Sequence, residues 1–219
     1  MKAQLAKELA AKQLTDAIIS GELKPGEHIA EEAFANRYHI SRIPAREAIH
    51  QLEQSGLLVR GPYRGLYVAS MSISEARELY ELRGYLEGIA AKNAVQNLDD
   101  DDLTELRKRW EGAYQPDPVT GKMVLFDRCA WIHQYVMERC NHHLCKEYYA
   151  NLIVRLDRYK NLSRAMRGPI PNTYHEHSII IESLLAKDEH GAEQAMQNHI
   201  LISGKMTVQF LKEHGYLEQ

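Results

Sequence analysis

The chain has 219 residues, 44% of them hydrophobic and 26% charged, with a formal net charge of −3. These values fit a globular protein of one or two domains and exclude a uniformly basic nucleic-acid binder. No apolar run is long enough to span a bilayer, and Lys2, Lys7 and Lys12 precede no apolar core or cleavage site, so a cytoplasmic location is expected.

In chain order, residues 3–20 carry Leu5, Leu9, Leu14, Ile18 and Ile19 at near-helical spacing and predict an amphipathic helix. Gly21 ends it, and Lys24-Pro25-Gly26 supplies a turn. A short helix follows over 30–37, with Ala33 and Phe34 facing inward. The next helix spans about 42–54, with Ser41 as its N-cap, Pro44 in its first turn and Gly56 past its end. "LLVRGPYRGLYVAS" places β-branched and aromatic residues around a Gly-Pro tip, the pattern of a hairpin. Three helices and a hairpin predict a winged helix-turn-helix over residues 1–70.

After Ser70 the pattern changes. Helical segments are predicted at roughly 74–96, 100–114, 122–140, 143–166, 174–187 and 189–213, with breaks at 115–121 and 167–173 and almost no strand signal. The expected second domain, 71–219, is an all-helical bundle, and the fold class is mainly α. The acidic run Asp99 to Asp102 suits a helix N-terminus. Cys129, Cys140 and Cys145 are odd in number and make no secreted disulfide framework.

Charge divides with the domains. Residues 1–70 hold nine Lys/Arg and eight Asp/Glu, whereas 71–219 hold 18 and 22. Five arginines lie between Arg37 and Arg64 against Glu47 and Glu53, a local basic strip on an acidic body. A helix-turn-helix enters the major groove with the N-terminal residues of its second helix, here Ser41, Arg42, Ile43, Pro44 and Arg46. Arg42 and Arg46 are four apart and share a face, and guanidinium suits both guanine edges and phosphates. Arg60 and Arg64 flank the wing tip, where Gly61 and Gly65 permit close backbone approach to DNA. Alone, such arginines are more often a solvated face than a DNA contact; the ordered constellation favours DNA. Glu47 reads as a structural partner for a nearby arginine.

The segment "IISGELKPGEHIAEEAFANRYHISRIPAREAIHQLEQSGLLVRGPYRGLYV" resembles the GntR family of bacterial regulators. The likeness lies in the Gly-x-Leu-x-Pro-Gly turn, Ser-Arg-x-Pro-x-Arg-Glu-Ala, Leu-x-x-x-Gly-Leu and the Arg-Gly of the wing. It implies operator contacts from Arg42 and Arg46, with Arg64 and Gly65 reaching the adjacent groove. The sequence departs from the pattern at Glu32, where some members place a DNA-contacting arginine.

His133, His177 and His199 fall on three different predicted helices. Bundle cores are where such side chains build metal sites, although a histidine taken alone is more often a surface or satisfied core residue than a ligand. "ELYELRGYLEGIAAKNA", "EHSIIIESLLAKD" and "AEQAMQNHI" resemble the ligand-binding (FCD) domain of FadR-type GntR regulators, many of which bind a divalent metal through three histidines and a carboxylate. The resemblance implies His133, His177 and His199 as ligands. The family's aspartate, four residues before the first histidine, is Cys129 here. One helical turn places Cys129 within about 40° of His133, and a thiolate there favours zinc. Asp127, about 240° around an ideal helix, needs an irregular backbone to serve. A substituted site and an empty one both remain open. His175, His142 and His143 fit the pattern less well.

Arg83 reads either as an anchor for an acidic effector or as a salt-bridge partner of Glu87. Arg155 and Arg158 are further candidates. The resemblance implies small organic acids, bound by metal and arginine together. The expected protein is a homodimeric DNA-binding repressor released by such an acid, and not an enzyme, since no His-Glu-x-x-His motif occurs. A metal-responsive repressor and a metal hydrolase are the alternatives.

Overall fold

A computed structural model describes residues 2–37, 39–61, 65–116, 123–125, 130–167 and 173–218. Its elements are α1 (Lys2–Ser20), β1 (His28–Ile29), α2 (Glu31–Arg37), α3 (Arg42–Gln54), β2 (Leu58–Arg60), β3 (Leu66–Val68), α4 (Ile73–Asn97), α5 (Asp100–Ala113), β4 (Tyr114–Pro116), β5 (Met123–Leu125), α6 (Ala130–Arg139), α7 (His143–Arg167), α8 (Thr173–Leu185) and α9 (Glu189–Glu213). The class is mainly α, as expected. None of these helices is long and apolar enough to cross a membrane.

The chain divides into two compact units. The first holds residues 1–76 with the stretches 151–166 and 207–219. Within it, Ala10, Leu14 and Ile18 of α1 bury against Ala45, Ala48, Ile49 and Leu52 of α3, over Leu58, Leu66 and Val68 of the sheet and Leu57 just before it. The sheet is antiparallel in the order β1-β3-β2, with Val59 opposite Tyr67 and His28 on Tyr67's other side. Gly56 ends α3 at φ +74°, a left-handed conformation that glycine adopts without steric cost.

Three local expectations are corrected here. Leu5 and Leu9 are exposed, because Ala10 and Ala11 form the close contact that the first turns of α1 offer the core. In α2 the inward pair is Phe34 and Ala35, with Ala33 exposed. Ser41 occupies the N-cap position of α3 with extended backbone, yet its side chain makes no capping hydrogen bond. Pro44 stands three residues on and has no N–H to give, which removes one of the two donors an N-cap oxygen normally binds.

The segment after the wing is tied down inside the same unit. Arg158 donates to the carbonyl of Ala69, Tyr159 Oη accepts from Ser72 N–H at 3.0 Å, and Arg155 Nε donates to Glu75 at 3.1 Å. Burial pushes the Arg158 guanidinium below its ordinary value despite nearby Glu75.

The second unit comprises residues 77–150 and 167–206. Asp99 caps α5 by accepting from Asp102 N–H at 2.8 Å, and Asp102 in turn receives Arg139 of α6 at 2.6 Å. The α4 and α9 backbones approach closely: a Cβ on Gly88 would stand 3.2 Å from the Glu193 carbonyl, and one on Gly204 2.6 Å from Tyr80. That approach sets the neighbouring turns, carrying Glu87 and His199, side by side. One predicted helix is shorter than expected. Met123–Leu125, read as the start of a helix over 122–140, is a strand paired with Tyr114–Pro116, and α6 begins only at Ala130. A short apolar run after a proline-bearing break satisfies its backbone groups in a ladder as readily as in a helix, and periodicity does not separate the two.

Candidate functional site

The first site is the exposed end of α3. Arg42, Ile43 and Arg46 are exposed, whereas Pro44 and Ala45 turn into the core. The helix therefore shows solvent its N-terminal arginines and buries the opposite face. Carboxylates of α2 and α3 meet them: Arg42 Nη2 lies 2.9 Å from Glu32, Arg46 Nε 3.4 Å from Glu31, and Arg60 Nε 2.7 Å from Glu53. Glu31 also receives Arg60 at 3.2 Å. Among the described residues these carboxylates, and not Glu47, are the ones paired with Arg42, Arg46 and Arg60. The Arg60 guanidinium is raised, chiefly by its hydrogen bond to Glu53. Gly61 N–H donates to the Gly65 carbonyl at 2.9 Å. Both glycines lie under the Tyr67 ring, where a Cβ would approach to 2.6 or 2.7 Å, so their first requirement is packing. Arg64 lies outside the described residues.

The second site is in the bundle. One nitrogen each from His133 on α6, His177 on α8 and His199 on α9 fall within 4.8 Å of one another. His177 Nε2 and His199 Nε2 are 3.3 Å apart. Two nitrogens each about 2.0–2.1 Å from one ion are separated by roughly 2.8–3.4 Å at right-angled to tetrahedral geometry, so this pair already has ligand spacing. A point equidistant from corners 4.8 Å apart lies about 2.8 Å from each, so small ring rotations complete the set.

Behind two of the rings stand carboxylates. His199 Nδ1 meets Glu176 at 2.7 Å, and His133 Nδ1 meets one oxygen of Glu87. A ring that donates its Nδ1–H to a carboxylate presents the Nε2 lone pair, the arrangement in which outer-shell carboxylates fix metal-binding histidines. The other Glu87 oxygen accepts Arg83 Nε at 2.6 Å, with the pair's side chains 0% and 5% exposed. Burial alone raises the Glu87 carboxyl, but Arg83 and His133 outweigh it and hold the group well below the carboxylate range. Burial lowers His133 to about 4, and burial with the neighbouring imidazoles lowers His177 to about 2. Both rings are therefore neutral near pH 7 and have lone pairs to give. The donor set and its tautomers fit a divalent ion.

The structure thus brings together the three histidines picked out in the sequence and places Arg83 against Glu87 rather than open to solvent. Cys129 and Asp127, the alternatives for a fourth ligand, lie outside the described residues. His175 and His143 are exposed. His142, exposed as well, accepts the Cys145 backbone N–H at 3.2 Å at the start of α7. Sequence reasoning missed Glu176 as the partner of His199, and it saw Glu87 only as a neighbour of Arg83. Both roles are contacts between helices, with no signature in spacing.

Comparison with known proteins agrees with both halves. The bacterial regulatory proteins, gntR family, match residues 6–68, and the FCD domain family matches residues 78–201. The chain is 36% identical to the HTH-type transcriptional regulator YdhC of Bacillus subtilis over 99 residues, covering 45% of this chain and 44% of that one. It is 25% identical to BphR of Paraburkholderia xenovorans over 213 residues, covering 93% and 85%. It is also 25% identical to the HTH-type transcriptional repressor RspR of Escherichia coli over 180 residues, covering 81% and 78%. Among solved structures, E. coli McbR/YncC shares the fold with a TM-score of 0.69 at 20% identity, covering 94% of this chain and 98% of that one. A GntR regulator from Rhodococcus sp. RHA1 does so at 0.65 and 18%, covering 93% and 97%. These families and relatives are regulators of transcription, not enzymes. With its gntR-type winged helix and its FCD domain, the chain belongs to the FCD-domain regulators of the GntR family, DNA-binding proteins that control transcription.

Proposed function

We propose that the protein is a repressor whose operator binding is controlled by a small organic acid, bound beside a divalent metal in the helical unit. Residues 1–70 bind DNA in this reading, and residues 71–219 bind the effector and dimerise. The observation that carries the sensing half is the convergence of His133, His177 and His199, with Glu87 and Glu176 behind them. Arg42 and Arg46 enter the major groove. Ser41 is exposed beside them, where its hydroxyl suits a phosphate, and Arg64 and Gly65 of the wing are assigned to the adjacent groove. Pro44, expected at this interface, is buried in the core instead and shapes the first turn of α3. A homodimer would present one such helix to each half of a short palindrome.

Imidazole donors suit several divalent ions, and zinc is the first candidate. An ion held by the three histidines would supply a Lewis-acidic point for a carboxylate. The chain's own residues then favour an anion: with neutral imidazoles, a dication and Arg83 outweigh Glu87 and Glu176, leaving surplus positive charge in a buried place. Arg83 acts as a charge fixed near the centre through Glu87. An effector changes the operator affinity only insofar as it binds two arrangements of the dimer unequally.

The test starts from an operator selected by the wild-type protein from a random duplex pool. Its affinity is then measured for metal-stripped and zinc-loaded protein, with and without a panel of small mono- and dicarboxylates. Weakening by an acid in the zinc-loaded protein alone supports the proposal. Weakening by zinc without any acid favours the ion itself as the signal. Equal affinity in every arm contradicts the sensing assignment.

A further inference from the structure

The recognition arginines are not bare. Glu32, at the start of α2, holds Arg42, and Glu31 beside it bridges Arg46 of α3 and Arg60 of β2. The Arg42–Glu32 pair is 77% and 73% exposed, and Arg46 is 73% exposed, so these are surface pairs that water and salt screen. Such pairs hold by at most about 1 kcal/mol, whereas a bidentate arginine–guanine contact discriminates by about 1–3 kcal/mol. A correct base edge can therefore draw the guanidinium off its carboxylate. Non-operator DNA offers mainly phosphates, and an arginine already neutralised by a carboxylate releases fewer counterions on meeting them. The same carboxylates also repel the backbone.

We propose that Glu31 and Glu32 are specificity-determining residues, counter-charges that keep the recognition arginines off the phosphates of non-operator DNA and yield only where a base edge accepts the guanidinium. Glu31 adds a positioning role, because one carboxylate spans the recognition helix and the first strand of the wing. The proposal rests on α3 being the DNA-reading helix.

The test compares Glu31→Gln, Glu32→Gln and the double variant with wild type, on the selected operator and on a random-sequence duplex, across a salt series. Asp101→Asn, an exposed carboxylate on α5, removes the same charge elsewhere. The expected double variant binds random duplex roughly five- to thirty-fold more tightly, with a log–log salt slope steeper by about 0.9 for each arginine released. Operator affinity changes less, so the operator-to-random ratio falls. Glu32→Gln guards against a folding artefact, since its side chain is largely exposed. Unchanged random-duplex affinity in Glu32→Gln and the double variant overturns the proposal, as does an equal gain in Asp101→Asn. Arg46→Ala separates the two levels. If it keeps full operator affinity, the docking of α3 fails and the proposal with it; if it loses affinity while the glutamate variants change nothing, only the counter-charge role fails.

Discussion

His177 Nε2 and His199 Nε2 lie 3.3 Å apart, though 22 residues separate them in the chain. The spacing depends on the carboxylate behind His199, because Glu176 fixes which nitrogen of that ring faces its neighbour. Replacing Glu176 by glutamine is expected to weaken divalent-metal affinity by about 10- to 100-fold without unfolding the protein, since glutamine has the same shape and keeps an oxygen that can accept from His199. Competition against a chromophoric chelator measures the affinity. An unchanged value would mean that Glu176 does not orient His199.

The buried Arg83–Glu87 pair makes a separate, purely thermodynamic claim. Removing one member of a fully buried ion pair strands the other, at a cost of about 3–5 kcal/mol. Arg83→Met is expected to lower the unfolding free energy of metal-free protein by that order in urea titrations. A loss well under 1 kcal/mol would show that Glu87 does not depend on Arg83.

Arg46→Ala removes an exposed cation from the face of α3 and takes no core contact with it. Loss of sequence-specific operator binding is expected, with thermal stability unchanged and a salt slope reduced by about 1 if the contact is to phosphate. A binding isotherm and a melting curve on the same preparation distinguish this from misfolding.

High pH should loosen the fold. Burial, with Cys140 alongside, raises the Cys145 thiol from an ordinary 9.0 to about 12, and its Sγ sits 3.1 Å from the Leu86 carbonyl. Burial also raises Tyr135 from 10.0 to about 12, and burial together with Glu75 raises Tyr159. A raised pKa means that the fold favours the protonated form, so this stability is complete below about pH 9 and is lost as pH climbs toward 12. Denaturant midpoints should fall across that window. The Cys145 thiol should also stay unreactive toward an aromatic disulfide reagent at pH 8 until the protein unfolds. Rapid labelling of Cys145 in the folded protein would contradict its burial.

How much of this was legible in the sequence varies by element. α3 was readable because local chemistry fixes both its ends, with Pro44 inside the first turn and Gly56 after the last. The histidines stood out as residues but not as a cluster from spacing alone; only the likeness to a family joined positions 133, 177 and 199. Glu87 and Glu176 stayed hidden because a carboxylate's partner on another helix leaves no periodic trace. Met123–Leu125 misled because three apolar residues satisfy a helix and a ladder equally well. The carboxylates on Arg42 and Arg46 were missed for a related reason: Glu31 and Glu32 precede them by ten to fifteen residues, beyond any helical repeat.

The metal content of the bundle tests the central claim most directly. Protein loaded with zinc, freed of excess ion and assayed by elemental mass spectrometry is expected to retain about one ion per chain. The His177→Ala and His199→Ala variants, folded by circular dichroism, should retain almost none. Wild-type protein that keeps no zinc, or variants that keep as much as wild type, would contradict a metal centre at His133, His177 and His199.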